Sequence, residues 1–497
     1  MAFTPRIEQN VKLPIPTEEQ LLIMEEAKRG SNIAIKAFAG CTKTTTCQLI
    51  ASVVHETSLY IAFNKSIADE AGTKFPNWVE CRTLHSLAYQ SIVKGTPFGK
   101  KGKLVGFYSF KDAAKIISSY TMGMPEGTKN NFVNDCLALI KNWCNSSYHT
   151  IEDFFICGEK LDEAELSLYG PPTMLLWNIY SNPNSEVTIT HDIYLKLFQL
   201  SKPDLSRYKL IYLDEFQDTN PVCLDIFLSQ KNSQLIAVGD PYQSIYSWRG
   251  AVNAFHYIDD SFKHLYLTES FRLNEQTCDS ASKVLELLNE SRRISGKGRY
   301  TEVQTKAFIV RNNLTMFSFL LETAYRSEKA YVVGDLSDLF SALYTAQTLA
   351  YTRKGEKPNY KYNPHPQIAS YDSWEELVSA NSQELRKIVT IIENYGSNLH
   401  GSITDIKNCL VQEQEQADVI VCTGHKSKGL EFDHVTLADD FVPFLKEDDD
   451  KEEKMIEFLK GQGLELLYVA MTRAKVKLQV PPRVWEYLEE IKDFMEQ

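Results

Sequence analysis

Residues 33–46 read IAIKAFAGCTKTTT. The first six, IAIKAF, are mostly apolar and suit a short buried strand. Small residues follow, then Lys43-Thr44-Thr45, then a run with helical character, TTTCQLIASVV. Strand, small-residue loop, Lys-Thr and helix is the context of a phosphate-binding loop. A helix N-terminus offers an anion unpaired amides and the positive end of a dipole. Gly40, Cys41, Thr42, Lys43, Thr44 and Thr45 are therefore the expected phosphate-binding residues. Lys43 would reach the β- and γ-phosphates of a nucleotide, and the Thr44 hydroxyl would ligate Mg²⁺. The pattern GxxxxGK[ST] asks for glycine at 37 and 42, where this chain has Ala37 and Thr42. Two outcomes are open at Thr42. A positive φ strains a β-branched side chain, and Gly would then tighten nucleotide binding. A negative φ suits threonine, and the intact chemistry around the loop favours it.

A second stretch completes the first. LIYLDEFQDTN (210–220) is an apolar strand ending in Asp214-Glu215. A carboxylate at a strand tip beside a phosphate loop holds Mg²⁺, the role expected of Asp214. An adjacent one acts as general base toward water, the role expected of Glu215.

Outward from these motifs, short apolar runs alternate with helix-like stretches. The runs are 33–38, 59–63, 210–213, 235–238 and 265–267, then 307–310, 330–333, 419–422, 435–438 and 477–480. Such runs between turns read as buried parallel strands, and their alternation with helices as open α/β sheets. Ten strands are too many for one compact sheet, so two α/β domains are expected. The first comprises 1–95 and 201–275, the second 276–349 and 416–497. Residues 96–200 and 350–415 lack the strand rhythm and read as inserted, mainly helical subdomains. The second insert opens with a tyrosine- and proline-rich loop, YTRKGEKPNYKYNPHPQ (351–367). The acidic run 446–454 reads as a solvated loop.

Composition bounds the function classes. With 43% hydrophobic and 24% charged residues over 497 positions, the chain is neither disordered nor fibrous. The net charge is −12, so a nucleic-acid partner would meet a local basic groove on an acidic body. No apolar leader opens the chain and no run approaches a membrane span. The ten cysteines form no CxxC pair, so reduced thiols are expected rather than metal ligation. These features suggest a cytoplasmic protein.

Eight stretches occur in one order: PTEEQ (16–20), AGCTKTTT (39–46), RTLHSLAY (82–89), LDEFQDTNP (213–221), VGDPYQSIYSWRGA (238–251), LTESFRLN (267–274), VCTGHKSKGLEF (421–432) and LLYVAMTRAK (466–475). Together they resemble the motif set of superfamily 1 helicases of the UvrD/Rep type. LYIAFNKSIADEA and the DDF after KGLEFDHVTLA resemble the F-box DNA helicase branch. The resemblance is expected to be to the helicase core, with no F-box expected in the residues before Thr17.

The resemblance implies two RecA-like P-loop NTPase domains (1A and 2A), with helical inserts 1B and 2B, ATP in the cleft between domains and single-stranded DNA across their tops. It implies that Gln20 reads adenine, although Thr17-x-x-Gln20 is also a capping box. It implies that Gln243 senses the γ-phosphate, Phe271 stacks the base, and Arg272 and Arg473 stabilise the transferring phosphoryl group. Glu431 would contact ribose. Phe63, Asn64, Thr83, His85 and Trp248 would form the DNA strip of the first domain, and Thr423, His425 and Lys428 that of the second. His85 also suits a packing role. Gln462, Gly463 and Glu465 depart from the family pattern, so no contact is carried onto them.

The implied activity is ATP-dependent, Mg²⁺-requiring DNA unwinding or translocation with 3′-to-5′ polarity. Its partners would be single-stranded or tailed duplex DNA and possible replication or recombination proteins, in a nucleoid-associated phage or bacterial setting. The alternative is an ATP-gated DNA-binding or remodelling protein, weakly hydrolytic because of Thr42.

Overall fold

The computed structural model describes residues 13–246, 252–299, 302–361, 363–379, 383–444 and 450–496. The chain divides into two compact units. One comprises Met1–Phe38 and Thr42–Leu267, the other Ala39–Cys41 and Thr268–Gln497.

The first unit is built on six strands: β1 (Asn32–Ala37), β2 (Ser58–Ile61), β3 (Val79–Arg82), β4 (Leu210–Leu213), β5 (Gln234–Gly239) and β6 (Phe262–Leu267). Their order is β3-β2-β4-β5-β1-β6, and each pairing is parallel. β2 and β4 are buried along their whole length, as expected of strands covered on both faces. Parallel order brings the C-terminal tips of β1, β4 and β5 to one edge, with Lys36 beside Gly239 and Leu213 beside Ala237. The phosphate loop, Asp214 and Asp240 all leave from that edge. Ligands of open α/β sheets bind outside such strand ends.

The second unit carries a two-stranded pair, β7 (Glu269–Ser270) with β8 (Ser295–Gly296). Its main sheet has β9 (Lys306–Val310), β10 (Ala330–Val332), β11 (Val419–Thr423), β12 (Phe432–Leu437) and β13 (Ala474–Gln479) in the order β10-β11-β9-β12-β13, again parallel. The α/β class with parallel sheets is thus as expected, and each of the ten apolar runs falls on a strand. β3 was not anticipated. Its sequence VECR has one fully buried position, so it presents no apolar run.

Among the described residues, no strand lies between Arg82 and Leu210, a span that includes the helices Glu126–Asn145, Glu163–Tyr180 and His191–Leu200. Helices Trp374–Ser379, Gln383–Tyr395 and Leu399–Cys409 occupy the corresponding part of the second unit. All ten cysteines are free thiols. Among the described residues no helix is long and apolar enough to cross a membrane.

Asp433 on β12 ties the second sheet to its neighbours. It accepts from the backbone amides of Gln304 and Thr305 at 3.0 and 2.9 Å and pairs with Lys475 on β13 at 2.9 Å. Burial alone would raise its pKa; Lys475, Thr305 and Gln304 outweigh burial and hold the carboxyl at about 2. A depressed carboxylate stabilises the fold above its unfolded pKa, here near 3.8, and that contribution is lost as pH falls toward 2. Asp433→Asn is expected to cost about 2 kcal/mol at pH 7 and close to nothing at pH 2. Urea melts at the two pH values check this, and an equal loss at both would refute it.

Candidate functional site

Helix α1 (Glu18–Lys28) starts at a complete capping box: the Gln20 amide N–H donates to Thr17 Oγ1 at 3.3 Å, and Thr17 N–H donates to Gln20 Oε1 at 3.0 Å. Gln20 Nε2 then donates to Thr42 Oγ1 and Thr46 Oγ1, at 3.1 and 3.0 Å. Gln20 therefore docks α1 on the phosphate loop, where an adenine-reading amide would belong.

Thr42 is the residue before helix α2 (Lys43–Val53), with φ 54° and ψ 41°. The expected negative φ is overturned. The turn into α2 imposes the left-handed conformation, and the threonine hydroxyl is held by Gln20 rather than turned to a ligand. Because the turn sets this φ, its cost of roughly 1–2 kcal/mol falls on folding. Thr42→Gly relieves it, but loses one hydrogen bond worth about 0.5–1.5 kcal/mol and adds unfolded-state entropy of about 0.4–1 kcal/mol. These terms nearly cancel. The expected outcome is a stability change within about 1 kcal/mol and less than ten-fold change in nucleotide affinity, about 1.4 kcal/mol. Calorimetric titration of the variant with nucleotide measures it, and a ten-fold tightening would instead mark a strained, weakened loop.

Lys43 Nζ pairs with Glu215 Oε2 at 3.3 Å. Glu215 is also left-handed, at φ 50° and ψ 47°, a conformation that stores strain where function requires it. It accepts from Gln217 Nε2 at 2.6 Å. Gln217 Oε1 accepts from the Asp240 amide at 3.0 Å, and Asp240 Oδ2 accepts from Gln243 Nε2 at 2.6 Å. Lys43, Glu215, Gln217, Asp240 and Gln243 thus form one hydrogen-bonded chain along the sheet edge.

Gln217 was missed by sequence reasoning. Its signal lay inside DEFQD, but only the fold shows what it joins. Gly239 is needed beside it: a Cβ there would come within 2.2 Å of Gln217 Oε1 and 2.9 Å of the Phe216 amide nitrogen. Asp214 is 5% exposed. Burial and the Glu215 charge push its pKa up to about 6, against Lys43 and the Tyr60 hydrogen bond. Tyr60 on β2, also missed, donates to Asp214 Oδ2. Asp214 and the Thr44 hydroxyl are hard oxygen donors that suit Mg²⁺. Among the described residues no three His, Cys, Asp or Glu side chains gather to hold a metal.

In the second unit, Ala39 N–H donates to the Tyr468 hydroxyl at 3.1 Å, and Gly40 O accepts from Phe271 N–H at 3.1 Å. Gly40 has φ +74°, and a Cβ on it would fall 2.4 Å from Ser270 Oγ; only glycine fits this close approach. Phe271 is 44% exposed. Arg272 Nη2 pairs with Glu431 Oε1 at 2.6 Å, while Arg272 Nε is buried without a partner. Arg473 is 1% exposed. Its guanidinium donates to Val469 O, Leu430 O and Thr472 Oγ1 at 2.8, 3.3 and 3.0 Å.

The expected DNA residues fall at strand tips. Phe63 is 51% exposed after β2. Asn64, Thr83 and Thr423 follow or end β2, β3 and β11, and each caps the next helix by accepting from the Ile67, Ser86 and Lys426 amides. His425 and Lys428 lie in or just after the helix Gly424–Ser427. His85 packs edge-on against His191 and Tyr194. Burial, with His191 beside it, lowers its pKa to about 4, so it is neutral at pH 7 and carries no charge toward phosphate. Trp248 lies outside the described residues.

A parallel sheet with a strand–loop–Lys-Thr–helix turn, and an Asp-Glu pair at the same edge, is the arrangement found in P-loop folds. The chain matches the UvrD/REP helicase N-terminal domain over residues 191–263. It is 31% identical to F-box DNA helicase 1 of Gallus gallus, over 92% of this chain and 48% of that protein. It is 27% identical to F-box DNA helicase protein 1 of Schizosaccharomyces pombe, over 96% of this chain and 58% of that protein. A shorter match, 26% identical over 43% of each chain, is to the Gabija protein GajB of Bacillus cereus. The chain spans about half the length of the first two relatives. The resemblance to UvrD/Rep-type helicases, and among them to the F-box DNA helicases, is borne out.

Proposed function

We propose that the chain is an ATP-dependent DNA helicase or single-strand translocase that couples ATP hydrolysis to movement along single-stranded DNA, 3′-to-5′ by its resemblance to the UvrD/Rep group. The observation that carries this reading is the hydrogen-bonded chain from Lys43 through Glu215, Gln217 and Asp240 to Gln243. It joins the phosphate-loop lysine, the candidate base and the candidate γ-phosphate sensor, so a change at one is felt at the next.

Lys43 and the α2 N-terminus bind the phosphates. Glu215 orients and deprotonates the attacking water, and Gln217 holds its carboxylate in place. Asp214 and Thr44 would hold Mg²⁺, which would neutralise charge on the phosphate oxygens. The buried, unpartnered Arg272 Nε suits an anion, and a phosphoryl oxygen would satisfy it. Arg473 supports the second unit's side from within, through the carbonyls it binds. Exposed Phe63 offers a stacking face that tolerates any base. The amides of helices starting at strand tips suit backbone phosphates. Replication or recombination proteins are the partners this activity would meet.

One observation favours the second reading, an ATP-gated DNA-binding protein with weak hydrolysis: Thr42 holds a left-handed conformation where the loop pattern has glycine. ATPase rate with and without single-stranded DNA, followed by unwinding of 3′- and 5′-tailed duplexes, decides between them. Strong stimulation and unwinding from the 3′ tail is the expected result. Tight DNA binding with no stimulated turnover would replace the motor with the gated binder.

A further inference from the structure

The second unit contains a groove of about 1270 Å³ beside the tip of β10, walled by the helices Ser337–Tyr351 and Leu399–Cys409 and by the stretch around Tyr360. Sites for drug-sized ligands span about 300–1,000 Å³, so this groove has room for a chain rather than a single small molecule. Its lining includes Tyr344, Tyr360, His400, Lys361 and Lys407, and the acid among its described lining residues is Asp335. The loop supplying Tyr360 and Lys361, residues 351–367, carries Arg353, Lys354, Lys357 and Lys361 against Glu356, a net +3 on a chain of net −12.

Aromatic faces interleaved with cations suit single-stranded nucleic acid, whose bases stack and whose phosphates pair. An acidic peptide would use the lysines and leave the tyrosine faces idle. Two further observations point to a ligand. The Tyr360 hydroxyl is buried and has no partner, and a buried hydroxyl ordinarily has one. Gly334, which lines the groove, adopts φ +103°, and a Cβ on it would meet Lys426 Nζ at 2.4 Å. Lys426 belongs to the helix Gly424–Ser427 and lies between His425 and Lys428 in sequence, two of the expected DNA residues. Its ammonium therefore lies against Gly334, at the edge of the groove.

We propose that this groove binds single-stranded nucleic acid as a continuation of the strand path over the helix Gly424–Ser427. Bases stack on Tyr344 and Tyr360, and phosphates meet Lys361, Lys407 and Lys426. The proposal rests on the single-strand reading above and adds a binding segment to it.

The test uses the whole chain and a ladder of oligo-dT lengths in fluorescence anisotropy at several salt concentrations. Tyr344→Ala is expected to weaken binding of long strands on the order of ten-fold, within the range of one lost stack. Strands too short to reach the groove should bind as before. Lys361→Ala with Lys407→Ala should lower the slope of log affinity against log salt by about 1.4, or about 0.7 per phosphate contact. Both lysines are exposed, so this variant keeps the test valid where Tyr344→Ala disturbs packing. Bromodeoxyuridine-substituted strands should crosslink to Tyr344 or Tyr360 in the unmodified chain. If Lys428→Ala weakens binding while the groove variants match the unmodified chain at every length, the groove is not part of the path and the function reading stands. If the unmodified chain binds no single strand, both fall.

Discussion

Glu215→Gln is expected to lower the rate of ATP hydrolysis by about 10²–10⁴-fold, the usual contribution of a positioned general base, while nucleotide binding is kept. The substitution preserves the volume and the acceptor that Gln217 Nε2 uses at 2.6 Å. It removes the charge that Lys43 meets at 3.3 Å, which leaves the phosphates as the counter-charge for Lys43, so affinity should hold or rise. It also removes a charge that raises the Asp214 pKa, so Asp214 stays ionised to lower pH. Single-turnover hydrolysis with a parallel fluorescent-nucleotide titration separates the two effects. An unchanged rate would remove Glu215 from the base role. Lost binding would make it a structural partner of Lys43.

Arg272→Ala is expected to lower turnover by about 10³–10⁵-fold, the range for an arginine that stabilises a transferring phosphoryl group. Arg272→Lys should recover only part of this, because an ammonium lacks the planar fork. Glu431→Gln frees Arg272 from its 2.6 Å partner and is the control. If Arg272 serves only as a salt bridge, the Ala and Gln variants will lose similar stability and neither will lose much turnover. Lys43 belongs to the first unit and Arg272 to the second.

Three cap residues carry a related lesson. Asn64, Thr83 and Thr423 were expected to contact DNA, and each has its side-chain oxygen on a helix amide. A cap fixes the helix N-terminus at the strand tip, so these residues position the amides that suit phosphate. Motif matching alone does not separate holding a helix from touching a ligand.

The amino-acid sequence by itself determined the two parallel sheets and the place of the phosphate loop and its acidic partner. Short apolar runs announced ten strands, most plainly β2 and β4, which are buried along their whole length as strands covered on both faces must be, a local property. β3 stayed hidden because its sequence, VECR, has one buried position and presents no apolar run. Tertiary structure alone decided the left-handed backbones of Thr42 and Glu215, since the sign of φ there is set by the turn each must complete. It alone joined Gln217 to Glu215 and Asp240, because that chain of hydrogen bonds crosses from the tip of β4 to the tip of β5, neighbours in the sheet that sequence separation conceals.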